Sequence, residues 1–206
     1  MMTKIKICGL RRLKDIEIIN EVKPEFAGFV FARSPRQVDE KLSFQLREKM
    51  DPAVKAVGVF VNEPVWRVAA IGRAGIIQMI QLHGDEDASY IEEIRMKAAG
   101  IPIIKAVRVR SADDILKAAE LDVDYLLLDT FVKGVYGGSG ISFDKKFIPE
   151  MNKPYFLAGG LTEENVKENI RICHPFAVDT SSAMETDGIK DADKIRKFVE
   201  RVRNNE

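Results

Sequence analysis

Two cysteines and two histidines are all that a 206-residue chain contains of these types, and each scarcity closes a class of function. Cys8 and Cys173 stand in unlike surroundings, so a disulfide framework is not expected and a reducing cytoplasm is the natural setting. With only His83 and His174 available, no His/Cys/Asp/Glu cluster has metal-ligand spacing, and no metal site is expected. Thirty-two basic residues balance thirty-two acidic ones. No global field therefore favours nucleic acid or an anionic membrane, and any anion must be held locally. No apolar run approaches the ~20 residues that cross a bilayer. Met1-Met2-Thr3-Lys4 leads into a strand pattern without an apolar signal core. Hydrophobic residues at 46% and charged residues at 31% are ordinary for a globular protein, and the length suits one domain with a sizeable core.

What is present is organised around Lys4-Ile5-Lys6-Ile7-Cys8-Gly9-Leu10. β-branched residues alternate with lysines, the signature of a half-buried strand, so Lys4, Lys6 and Cys8 share one face and Ile5 and Ile7 the other. Further strand patterns fall at 26–31, 54–61, 77–83, 103–109, 125–129, 155–158 and 176–179. Helical spacing or helix-start signals follow at 13–22, 42–50, from Pro64 to about Arg73, through Tyr90 and Ile94, at 113–121, from Thr162 to about Cys173, and at 192–202. A glycine-rich stretch, 133–140, and a possible short helix, 142–148, separate strands six and seven, and 180–188 reads as polar loop. Strands recur every roughly 21–30 residues, eight times, with no linker. The pattern predicts a single (β/α)8 TIM barrel over residues 1–206, with short loops because such barrels usually need ~250 residues. An open doubly wound sheet is the alternative, and its dinucleotide-binding form would show Gly-x-Gly-x-x-Gly after the first strand, which is missing here.

Barrel chemistry sits at the C-terminal ends of the strands. Those ends supply Cys8, Arg36, His83, Asp129, Gly159-Gly160 and Asp179-Thr180-Ser181-Ser182. Strand parity turns Lys6, Gln81 and Asp179 inward, with Lys105 a candidate addition, and buried charges of this kind must satisfy one another. A lone cysteine is most often a small inert hydrophobe, but Cys8 has a glycine after it and a lysine beneath, which favours thiolate. Asp129 closes an apolar strand and faces the same mouth, so thiol and carboxyl make an acid/base pair for two protons. Gly159 and Gly160 after strand seven and Ser181 and Ser182 after strand eight sit where barrels build phosphate sites, glycine giving backbone access and serine a hydroxyl donor. Arg36, on a loop stiffened by Pro35, offers a fork for a carboxylate. His83 ends strand four and is either a structural group or a mouth residue. Cys173, late on a helix before His174-Pro175, reads as a packing or surface residue.

Assembled, these fragments resemble the phosphoribosylanthranilate isomerases of tryptophan biosynthesis. The resemblance covers essentially the full length. It rests on Lys6-Ile7-Cys8-Gly9-Leu10, Phe29-Val30-Phe31 through Ser34-Pro35-Arg36-Gln37-Val38, Gln81-Leu82-His83-Gly84, Leu128-Asp129, and Gly138-Ser139-Gly140 with Phe143-Asp144. It continues in Leu157-Ala158-Gly159-Gly160-Leu161 and in Asp179-Thr180-Ser181-Ser182 with Glu185. The sequence departs from the pattern at Arg11, Ser139, Lys145 and Ala183, none of them a proposed catalytic group. The resemblance implies an Amadori rearrangement of an N-linked phosphoribosyl amine to a 1-amino-1-deoxyketose. Asp129 would protonate the ring oxygen and Cys8 would take the C2 proton. Arg36 would hold the anthranilate carboxylate, Gly160, Ser181 and Ser182 the phosphate, and Asp179 and His83 would shape the pocket. No cofactor is implied, because the iminium nitrogen is the electron sink. The expected partner is a small phosphoribosyl substrate, and the chain would act as a monomer or homodimer. Two other readings share the phosphate loops: a pentose-phosphate epimerase or similar phosphosugar enzyme, and a barrel that binds a phosphorylated ligand without turning it over.

Overall fold

A computed structural model describes residues 2–130 and 148–204. Eight parallel strands close into a barrel in chain order: β1 (Lys4–Cys8), β2 (Phe26–Val30), β3 (Lys55–Phe60), β4 (Met79–Leu82), β5 (Ile103–Val109), β6 (Tyr125–Thr130), β7 (Tyr155–Leu157) and β8 (Ala177–Thr180). β8 pairs back onto β1, placing Lys6 beside Asp179 and Ile7 beside Thr180. Around it lie α1 (Leu13–Val22), α2 (Glu40–Lys49), α3 (Val65–Arg73), α4 (Ala88–Lys97), α5 (Ala112–Ala119), α6 (Val166–Cys173) and α7 (Ala192–Arg203). Helix starts follow local chemistry, since a side-chain oxygen can cap the orphan N–H groups of a first turn. Asp39 accepts from Leu42 N, Asp87 from Tyr90 N, and Asp191 from Asp193 N and Lys194 N. Lys23, in the left-handed region at φ 47°, ends α1 just before Pro24. The glycine-rich stretch 133–140 and nearly all of the possible helix at 142–148 lie outside the described residues.

Strand alternation sorts the core into two clusters. Ile5, Ile7, Leu82, Ile103, Leu126, Leu128, Leu157 and Val178 face outward and pack with the buried faces of the helices. Phe26, Val57, Met79, Ile104, Leu127, Phe156 and Ala177 fill the barrel interior. Its N-terminal end is closed by aromatic rings: Phe26 and Phe156 centroids are 5.2 Å apart, Tyr125 and Phe176 4.9 Å, in tilted arrangements suited to ring quadrupoles. Lys4 Nζ lies over the Phe176 ring at 4.3 Å. The interior becomes polar toward the other end. Lys6 is fully buried with its Nζ 2.9 Å from Asp179 Oδ1. Burial works against the Lys6 charge, but Asp179 and, after it, Cys8 more than offset it and hold the pKa above its usual value. Removing one partner of such a pair typically costs about 3–5 kcal/mol.

Lys105 corrects the sequence expectation. Ile104 and Ala106 belong to the interior cluster, so Lys105, between Ile103 and Val107, points to the helix layer. There its Nζ meets Glu86 Oε2 and the Gly84 carbonyl, both at 2.7 Å. A second difference lies in 180–188. That stretch holds a 3₁₀ turn (Ser182–Met184) and a hairpin of β9 (Glu185–Thr186) with β10 (Ile189–Lys190). Asp187 and Gly188, at φ 52° and 72°, make its two-residue turn, the pairing that primed turns require.

Candidate active site

The mouth of the barrel holds a cavity of about 360 Å³. The nine residues expected from the sequence to act on or bind a substrate all line it: Cys8, Arg36, His83, Asp129, Gly159, Gly160, Asp179, Ser181 and Ser182. Val30, Val59 and Leu161 supply apolar wall, and Gln81 part of the floor.

Cys8 ends β1 on the inward face. Its neighbour across the ladder is Gly28. A Cβ on Gly28 would lie 2.7 Å from Cys8 Sγ and 3.0 Å from its Cα, closer than carbon and sulfur can approach, so glycine there leaves the thiol its place. Gly9 follows at φ +84°, and a Cβ on it would lie 2.6 Å from Arg36 Cδ. Two glycines therefore clear space for the two groups on either side of them. Burial opposes the thiolate that the lysine beneath it favours. Burial pushes the Cys8 pKa above its ordinary value; Lys6 and Lys190 pull it down and Asp179 pushes it up, and the net effect remains upward. The charge of Lys6 is shared with Asp179, which limits what it gives the sulfur.

Asp129, buried at the end of β6, is reached from Cys8 across β8 and β7. His83 Nε2 stands 3.6 Å from its Oδ2, just beyond direct hydrogen-bond range. The other ring nitrogen, Nδ1, is 2.8 Å from the Gln81 amide nitrogen. With the amide donating, Nδ1 accepts and the ring proton sits on Nε2, toward Asp129. Gln81 is itself buried, and among the described residues its Oε1 has no hydrogen-bond partner. The inward polar group is thus not fully self-satisfied as expected. A buried amide oxygen without a partner costs about 1–3 kcal/mol, and a ligand hydroxyl in the cavity would remove that cost.

Loops seven and eight, where the sequence reading expects an anion cradle, both line the cavity. Gly159 and Gly160 adopt φ 84° and 64°, a conformation that side chains rarely take and that bares the backbone. Asn165 braces this loop, its Nδ2 donating to Gly160 O at 2.8 Å and its Oδ1 accepting from Thr162 N at 3.0 Å. On loop eight, Ser181 Oγ donates to the Cys8 carbonyl at 3.0 Å, so its hydroxyl proton ties β8 to β1 and is not the free donor expected from the sequence.

Arg36 lines the cavity with one edge of its guanidinium already paired. Its Nε and Nη2 donate to the two oxygens of Glu185 at 2.6 and 2.7 Å, and Lys190 Nζ meets Glu185 Oε1 at 2.6 Å. Burial alone would raise the Glu185 carboxyl, but these bonds outweigh it and bring its pKa down to about 2. Lys190 was not singled out from the sequence, and Glu185 only as part of a fragment. Among the described residues no group of three or more His, Cys, Asp or Glu side chains could hold a metal ion, and no helix is long and apolar enough to cross a membrane.

The arrangement thus offers a thiol, a carboxyl, a guanidinium and two loops bearing glycine and serine around one small cavity. Comparison with known proteins gives the same direction. Residues 5–201 match the family model described as N-(5'-phosphoribosyl)anthranilate (PRA) isomerase. An N-(5'-phosphoribosyl)anthranilate isomerase of Thermoanaerobacter sp. (strain X514) is 44% identical over 204 residues, covering 98% of each chain. The crystal structure of phosphoribosyl anthranilate isomerase from Thermotoga maritima superposes with a TM-score of 0.86 at 34% identity, covering 98% of this chain and 99% of the other. A further structure of such an enzyme was solved with reduced 1-(o-carboxyphenylamino)-1-deoxyribulose 5-phosphate, and it matches at TM-score 0.83 and 32% identity over 98% and 99% of the two chains.

Proposed function

The chain belongs to the N-(5'-phosphoribosyl)anthranilate isomerase family, and from that membership we propose that Asp129 and Cys8 are the acid and base of its aldose–ketose isomerisation. The observation that carries the assignment is their common cavity, which they share with Arg36 and both glycine- and serine-bearing loops. Asp129 donates a proton to the ribosyl ring oxygen, the C1–O bond breaks, and the anthranilate nitrogen becomes an iminium. Cys8, as thiolate, removes the C2 proton to give an enolamine. Tautomerisation returns a proton to C1 and leaves the C2 ketone. One proton leaves the acid and one enters the base, so the reaction is proton-neutral. The iminium nitrogen accepts the electron pair, and the chemistry calls for no cofactor.

The substrate spans the mouth in this reading. Its phosphate lies against Gly159, Gly160 and the turn from Ser181, its benzoate carboxylate against Arg36, and its ribosyl hydroxyls over Gln81, His83 and Asp179. Every group named comes from one chain, so a lone barrel or either half of a homodimer would carry a complete site. Both cysteines are free, which suits a reducing cytoplasm. The direct test is the fluorescence of freshly prepared N-(5'-phosphoribosyl)anthranilate, which the product lacks. Decay in proportion to added protein is expected, and no decay at any protein concentration would overturn the assignment.

The pH dependence has a definite sign. The productive form needs a protonated acid and an ionised base. Carboxyls ordinarily titrate below thiols, so this form is a small population of nearly constant size between the two pKa values. Above the thiol pKa the thiolate fraction no longer grows while the protonated acid keeps falling, and the rate drops. Because burial raises the Cys8 pKa, the alkaline limb of kcat/KM should lie above the ordinary thiol value. An alkaline limb centred well below it would contradict Cys8 as the base.

A further inference from the structure

A guanidinium carries five N–H groups in one plane and can serve two carboxylates at once, one side-on and one end-on. The Nε/Nη2 edge of Arg36 is taken by Glu185 at 2.6 and 2.7 Å. Among the described residues Nη1 donates to no protein acceptor, so the edge formed by Nη1 and the second Nη2 hydrogen stays open while Arg36 lines the cavity. Glu185 is held from behind as well. Lys190 Nζ meets its Oε1 at 2.6 Å and also donates to the Ser181 carbonyl at 3.0 Å, which joins the pair to the anion cradle. The hairpin that carries both residues is pinned in turn. Arg12 Nη2 donates to Lys190 O at 3.0 Å, Arg11 Nη2 to Gly188 O at 2.9 Å, and Lys194 Nζ to Glu185 O at 2.6 Å. Two cations and one anion leave one positive charge over, the complement of a single carboxylate.

We propose that Glu185, backed by Lys190, is a positioning residue that aims the open edge of Arg36 at the substrate's benzoate carboxylate and so sets the preference for a carboxylated aromatic amine. The proposal rests on the isomerase reading above and names what orients its anchor. The alternative, that Glu185 is a stand-in which the substrate must displace, predicts the opposite change in affinity.

The test compares the full-length protein and its Glu185→Gln variant on two substrates, N-(5'-phosphoribosyl)anthranilate and its aniline counterpart, which lacks the carboxylate. For the anthranilate substrate, KM should rise about 10- to 100-fold with kcat within about threefold, the pattern of a lost charge-assisted binding contact. For the aniline substrate kcat/KM should change by less than about twofold, because the oriented edge has nothing to bind. Glu185→Asp, which restores the charge on a shorter stem, should recover part of the KM. Equal losses on both substrates would reduce Glu185 to a structural brace, and a lowered KM would make it a competitor; either overturns the proposal. Failure of the unaltered protein on the anthranilate substrate would instead sink the isomerase reading, and the proposal with it.

Discussion

Cys8→Ser should lower kcat by about 10²- to 10⁴-fold, the usual contribution of a positioned acid or base, while the barrel stays folded. Serine is smaller than cysteine, so the space that Gly28 leaves beside Sγ accommodates it without strain. The 2.9 Å contact of Lys6 Nζ with Asp179 Oδ1 is made directly between those two side chains and remains available in the variant. The hydroxyl is far harder to ionise than a thiol, even one whose pKa burial has raised, so what is lost is the base. Steady-state fluorescence decay measures the effect, and an unchanged thermal unfolding midpoint shows that structure is intact. Turnover within about threefold of the unaltered protein would remove Cys8 from the mechanism.

Asp129→Asn should cost a similar factor, about 10²- to 10⁴-fold in kcat, by a different route. Asparagine keeps the shape at the end of β6 and can still face His83 Nε2, which lies 3.6 Å from Oδ2. It has no acidic proton to give the ring oxygen. Binding should survive, because Arg36 and the two loops remain, so KM should stay within about fivefold while kcat falls. A variant that loses KM and keeps kcat would make Asp129 a binding group.

Much of this site could be read from strand parity. Alternation in Lys4–Cys8 placed Lys6 and Cys8 on the inward face, and the closing position of Asp129 on an apolar strand placed it at the mouth, where the structure also has it. Parity failed for Lys105 because β5 is apolar on both faces, Ile103 and Val107 outward, Ile104 and Ala106 inward. Only the pairing with its neighbours decides which face carries the lysine. The hairpin after β8 carries a local signal, Asp187-Gly188, which marks a two-residue turn inside an otherwise polar stretch. The partner of Arg36 had no such signal: Glu185 is 149 residues away, and only barrel closure brings them together. The same holds for the thiol. Lys6 is two residues from Cys8, but Asp179, 173 residues from Lys6, claims much of its charge, and the extent of burial is a property of the folded mouth.

The division of labour between the two groups is best tested by trapping the ring-opened intermediate. Cyanoborohydride added during turnover reduces an iminium to a phosphoribityl amine, which chromatography separates from substrate and product. Cys8→Ser keeps the acid and lacks the base, so it should accumulate the iminium and yield trapped amine above the enzyme-free background. Asp129→Asn should yield none above that background. Equal trapping by both variants, or trapping by Asp129→Asn alone, would contradict the assignment of ring opening to Asp129 and C2 proton removal to Cys8.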